Sequence, residues 1–216
     1  MGSTSGADSA SPTATGQKPA QGDVSSGASV ASAARGSWPA LGTARRTRAL
    51  RPEVELLVGQ LLDELESGPK PVDLVANFAI RLPSLVIARM LGVPEQDEAD
   101  FTEQSQVILS QEAGPEETYA AFVAMTKFLD KLVAQRSAEP RDDLISRLAT
   151  RYVRAGELTH EELVAMARFI LVAGHETTAH QISLSVLSLL RDPAQLAELR
   201  ADESLFKPAV EELLRY

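Results

Sequence analysis

One stretch constrains the fold of this chain more than any other. From His160 to about Arg191 it runs without a proline, and with a single glycine, between a start signal and a stop signal. Thr159 and Glu162 make a capping box, in which each side chain satisfies a free amide of the first turn. Asp192-Pro193 ends the run and begins another: the aspartate caps, the proline suits the first helical position, and Gln195 completes the pattern. At 1.5 Å per residue such a helix is about 45 Å long, enough to cross a whole domain. Its middle reads Ala173-Gly174-His175-Glu176-Thr177-Thr178. Glycine costs about 1 kcal/mol relative to alanine in a helix interior, and threonine is a poor helix former. Residues so costly in mid-helix point to use. The threonine hydroxyls can bond the carbonyl one turn back and open the ladder locally. Gly174 lets a flat ligand approach the backbone, and an acid beside a hydroxyl can relay a proton.

The rest of the chain after about residue 44 also reads as helical, so the expected fold class is mainly α. Leu50, Val54, Leu57, Leu61 and Leu65 repeat at helical spacing up to a stop at Gly68-Pro69. Val72 to Val75 is a short extended candidate. A helix over Leu82–Leu91 closes at Gly92 and Pro94, and another follows over Asp97–Leu109. After a break at Gly114-Pro115, Tyr119 to Ala138 places Phe122, Met125, Phe128, Leu129 and Leu132 on one face. Asp142 or Asp143 caps a helix through about Val153. A last helix is expected from Pro208, carrying Glu211, Glu212, Leu213, Leu214 and Arg215. Residues 1–43 differ: Ser, Ala, Gly and Thr dominate without apolar periodicity. Such a segment buries too little surface to offset chain entropy and is expected to be a disordered tail. It has neither the charged start nor the apolar core of a secretory signal.

Composition removes several function classes. The net charge of −9 argues against nucleic-acid binding. With no cysteine, disulfides, zinc–thiolate sites and cysteine nucleophiles are excluded. No apolar stretch reaches the ~18–20 residues of a membrane span, so a soluble, cytoplasmic protein is expected. His175 and His180 invite a zinc reading, but five residues apart on a helix their rings diverge by about 140°, so no metal site is expected. Glu212 and Arg215, three apart, can pair on one helix face, as exposed side chains often do.

Taken together, the order is more specific than its parts. Ala173-Gly174-x-Glu176-Thr177-Thr178 in a long helix, a short helix, then Glu211-Glu212-Leu213-Leu214-Arg215-Tyr216 closely resembles the cytochrome P-450 superfamily of haem-thiolate monooxygenases, of the soluble bacterial type. Leu82-Pro83-Ser84-Leu85, Leu91-Gly92-Val93-Pro94 and Asp142-Asp143-Leu144-Ile145 extend the likeness over about residues 46–216. The resemblance implies the middle helical part of that fold, with the long helix crossing the distal face of a haem. It implies that Ala173, Gly174 and Thr178 lie at the cofactor, that Glu176 and Thr177 carry protons, and that Glu212 and Arg215 form a buried structural ion pair. It also implies a small apolar substrate and a ferredoxin-type redox partner.

The family's iron ligand is a cysteine thiolate beyond the Glu-x-x-Arg helix, and this sequence has no cysteine. The thiolate pushes electron density onto iron. The expectation is therefore a truncated cytochrome P-450, inactive as this chain. The alternative is a non-catalytic helical ligand-binding or regulatory protein, which leaves Gly174, Glu176, Thr177 and Thr178 unexplained. Weak haem association through His175 or His180 is a further option, since imidazole binds haem iron.

Overall fold

The computed structural model describes residues 48–110 and 112–215. The expected tail over 1–43 therefore lies outside the described residues. Among those described, eight α-helices follow one another with no strand between them. They are α1 Arg51–Ser67, α2 Arg81–Leu91, α3 Glu98–Leu109, α4 Pro115–Ala138, α5 Leu144–Leu148, α6 His160–Arg191, α7 Pro193–Ala201 and α8 Phe206–Leu213.

The helix ends follow local chemistry. Thr159 Oγ1 accepts from Glu162 N and Glu162 Oε2 accepts from Thr159 N, so the capping box forms at the start of α6. Asp192 accepts from Gln195 N and separates α6 from α7. Gly92 closes α2 at φ +82, a left-handed conformation that suits glycine. Pro115 starts α4 four residues ahead of the expected Tyr119, in the position proline favours.

Two expectations are corrected. The extended candidate Val72–Val75 is not a strand: it leads into a π-helical turn over Val75–Ala79. Asp73 decides this. Its carboxylate accepts from Ala76 N and its carbonyl accepts from Asn77 N, so the chain winds here despite its valines. The last helix begins at Phe206 rather than Pro208. A proline within the first turn gives up only an amide that has no partner inside the helix.

The core sits where α2, α3, α4 and α5 meet the first half of α6. Leu91, Phe101, Met125, Leu129, Ile145 and Leu163 are all buried in it. Each fully buried leucine-sized side chain contributes about 1.5–3 kcal/mol. A smaller cluster joins Leu57 and Leu61 of α1 to Leu82 of α2, with Ile182 of α6 against it. A polar knot ties the main core together. Arg136 of α4, 2% exposed, pairs with Asp143 at 3.0 Å and donates to the Gly92 carbonyl. Asp143 also accepts from the backbone N–H and the hydroxyl of Ser146. A Cβ on Gly92 would lie 2.5 Å from the Asp143 carboxyl carbon, so glycine is required there for packing as well as for φ.

Candidate functional site

The middle of α6 stays α-helical throughout, including residues 173–178. Thr177 Oγ1 does donate to the Ala173 carbonyl one turn back, at 2.7 Å. The expected opening of the ladder does not occur: the hydroxyl shares that carbonyl with the helix and does not displace its amide.

Successive residues of α6 point about 100° apart, so this segment serves three directions at once. Phe169, Val172, Ala173 and Thr177 are exposed and form one open stripe, which Leu184 and Leu187 continue. Gly174 lies toward α2, where a Cβ would come 3.2 Å from Ile87 Cδ1; the glycine lets α2 and α6 approach closely. Thr178 is exposed. His175 turns inward. It is 2% exposed, and its Nε2 meets the Ile80 carbonyl at 2.8 Å, just past the π-helical turn. A carbonyl only accepts, so Nε2 carries the hydrogen. Nδ1 is then a lone-pair acceptor, buried and without a partner. Desolvation by burial pushes the imidazole below its ordinary value of 6.5, against the opposing pull of the Ile80 bond and the Glu176 charge.

Glu176 is exposed, and it lines a groove of about 840 Å³ beside the open stripe. The groove runs between the π-helical turn, the end of α3, the start of α4 and the middle of α6 from His175 to Ser183. His175, His180 and Ser183 line it from α6. His175 and His180 thus have different surroundings: one is bonded inside the fold, the other exposed on the groove wall.

Glu212 near the end of α8 pairs at 3.0 Å with Arg215 in the turn just past it, with side chains 60% and 73% exposed. This differs from the buried pair that the resemblance implies. No residue of α8 is buried, because among the described residues nothing packs over its apolar face of Phe206, Val210 and Leu214. Gln181 of α6 holds the end of α8 by donating to the Leu213 carbonyl.

The long-range partners of Arg136 and His175 were missed from the sequence, although the pattern carried a signal for each. Arg136 falls four residues after Leu132, and His175 four after Leu171, both on buried stripes. A polar residue in phase with a core stripe marks a buried partner.

Comparison with known proteins accounts for this arrangement. The family model described as cytochrome P450 matches residues 113–205. Cytochrome P450-SU2 of Streptomyces griseolus is 48% identical over 172 residues, which cover 80% of this chain and 42% of that protein. The chain belongs to the cytochrome P450 family. Vitamin D3 dihydroxylase of the same organism is 43% identical over 81% of this chain and 43% of its own length. The crystal structure of cytochrome P450 MoxA from Nonomuraea recticatena superimposes with a TM-score of 0.79 at 37% identity, over 90% of this chain and 47% of that one. The chain thus spans less than half the length of the P450 proteins it matches, and within that span the helical architecture is theirs.

Haem is the cofactor of this family. The open stripe on α6 fits one face of a flat, largely apolar group: Phe169, Val172 and Ala173 offer apolar contact, and Thr177 offers a hydroxyl at its centre. The 216 residues hold no cysteine to supply a thiolate. Among the described residues no helix is long and apolar enough to cross a membrane.

Proposed function

We propose that this chain is the oxygen-side helical part of a haem-dependent monooxygenase that inserts one atom of O2 into a small apolar organic substrate. The observation that carries the reading is the open stripe of Ala173 and Thr177 in mid-helix, with Glu176 one residue away on the groove wall. Haem, when bound, supplies the redox chemistry of oxygen activation. The protein's part is to present a surface and to move protons. Ala173 is assigned to the cofactor-facing stripe, where a small side chain leaves room; Gly174, packed on Ile87, and Thr178, about 100° round the helix from Thr177, flank that stripe rather than form it. Thr177 holds a proton at Oγ1, and Glu176 exchanges protons with solvent through the groove and resupplies the hydroxyl. Glu212 and Arg215 are assigned as the structural ion pair, a role that needs cover over α8 which the described residues do not supply. Electrons come from a ferredoxin-type partner, and neither nucleic acid nor membrane takes part. The protein works in the cytoplasm.

Lacking a cysteine, this chain alone does not turn over. The test joins it to the remaining carboxy-terminal part of cytochrome P450-SU2. The joined protein is expected to take up haem, seen as a Soret band, and to consume O2 with NADPH and ferredoxin. Glu176→Gln and Thr177→Ala should each lower product formed per NADPH by roughly 100-fold, the scale of a lost proton-transfer group, while the Soret band stays. Hydroxylation by the unjoined chain, or wild-type coupling in both variants, would overturn the assignment.

A second reading, a helical protein that binds a ligand without chemistry, is favoured by one observation: a formed groove in a chain without cysteine. It predicts cooperative melting without haem and no Soret band on haemin titration. A molten chain that binds hydrophobic dye speaks for the first reading.

A further inference from the structure

The open stripe on α6 needs something behind it. Apolar contact is non-directional, so a helix held by aliphatic side chains alone can settle at slightly different bearings. A hydrogen bond is directional and selects one. Among the described residues, the side chains that α6 buries are apolar except for His175. Its Nε2–H donates to the Ile80 carbonyl at 2.8 Å. Ile80 ends the π-helical turn and caps α2, so this bond crosses between elements. The Ser84 hydroxyl reaches the same carbonyl at 3.4 Å, but from within α2.

The bond sits at the back of the stripe. Ala173 and Thr177 stand two residues to either side of His175, so each points about 160° away from it round the helix. Beside it, a Cβ at Gly174 would lie 3.2 Å from Ile87 Cδ1, so the backbone of α6 runs close against α2. Ile80 and Ile87 are about 10 Å apart along α2. Neighbouring residues of α6 thus meet α2 at two points, and two points fix a rotation as well as a separation. Nδ1 makes no bond, so the polar hold of the ring rests on Nε2.

We propose that His175 is a positioning residue for the oxidative site: its bond to the Ile80 carbonyl fixes the bearing at which α6 presents Ala173 and Thr177. It lies on the far side from the stripe and acts through the helix it anchors. Bearing matters because a misplacement of about 1 Å can cost a reaction on the order of 100-fold. The inference rests on the oxidative reading above and adds to it a residue on the buried side of the motif.

The first arm of the test needs no haem. The 216-residue chain has no cysteine, so Ala134→Cys at an exposed position of α4 and Thr177→Cys on the stripe take a nitroxide pair with no competing thiol. Pulsed electron spin resonance is expected to read one narrow distance in this labelled chain, and the same distance with His175→Gln, whose amide donates in place of Nε2. With His175→Leu the distance should shift or broaden. Leu163→Ala, which loosens the core away from this bond, should leave it narrow. If His175→Leu does not fold, His175→Asn, too short to reach the carbonyl, takes its place. The second arm uses the joined protein. There His175→Leu should lower product formed per NADPH about tenfold with the Soret band kept, and His175→Gln should stay within about twofold of wild type. A broad distance with His175 in place, an unmoved distance in His175→Leu, the same change in His175→Gln or Leu163→Ala, or unchanged coupling in an active joined protein would each overturn the proposal. A wild-type joined protein that does not turn over, beside a distance that moves as expected, sinks the oxidative reading and leaves the anchor in place.

Discussion

The two halves of α6 belong to one continuous helix, yet they live in different surroundings. Every buried residue of α6 lies between Leu163 and Ala179, against α2, α4 and α5. Past Ala179 the same residue types are open: Leu184, Leu187 and Leu190 are exposed, and α7 and α8 bury nothing. Leucine content therefore does not say where this structure is held together. What separates the halves is a partner. The first half meets complementary stripes on neighbouring helices; the second has only Ile182 against the small α1–α2 cluster and otherwise keeps its shape through backbone hydrogen bonds up to the cap at Asp192.

That contrast can be broken at its strongest point. Arg136→Ala leaves Asp143 buried without its ion-pair partner and the Gly92 carbonyl without its donor. We expect a loss of about 3–5 kcal/mol, read from the urea midpoint. A loss under about 1 kcal/mol would mean that the polar knot is incidental to the core. Next comes a matched pair. Leu163→Ala, in the packed half, should cost about 2–5 kcal/mol. Leu187→Ala, 43% exposed in the open half, should stay within about 0.5 kcal/mol. Similar losses at both positions would erase the comparison.

His175 marks the boundary and sharpens it through pH. Its pKa is depressed in the folded state, so the native ring stays neutral at a pH where the unfolded chain already binds a proton. The contribution is fully present above 6.5 and is lost as pH falls from there toward the native value. His175→Gln keeps an amide donor for Ile80 and should flatten this part of the slope. The difference between the two proteins' urea midpoints across a pH series is the measurement, and superimposable slopes would sink the idea. The smallest effect belongs to the open region. Glu212→Gln removes one partner of an exposed pair and should change stability by no more than about 0.5 kcal/mol.

The same division separates what could be read from the sequence. The bounds of α6 were legible because they rest on neighbours in the chain: Thr159 with Glu162, Asp192 with Pro193 and Gln195. The stop at Gly68 and the close at Gly92 were legible for the same reason. The turn after Asp73 was misread because valines outvoted a single aspartate whose side chain caps the backbone. The groove could not be read at all. His175 and Ile80 stand far apart in the chain, and only the packing of α2 on α6, through the bare Gly174, brings them together. In the mid-helix motif the residue types were visible. That Ala173 and Thr177 face outward, Gly174 faces Ile87 and His175 faces Ile80 follows from which side of α6 the core takes, and no residue within the motif states that.

The capping box at Thr159 and Glu162 lies far from all of this, and it acts as the timing mark of a shaft. An α-helix is stiff in phase, so fixing its first turn fixes the bearing of every later side chain. One extra residue inserted just after Met166 would advance everything beyond it by about 1.5 Å and turn it by about 100°. The open stripe would swing toward a packed wall, and the imidazole would leave the Ile80 carbonyl. Composition and helicity would hardly change. The site is thus encoded as a count of residues from the cap, and a deletion or insertion between Glu162 and Ala173 erases it as surely as mutating the motif itself.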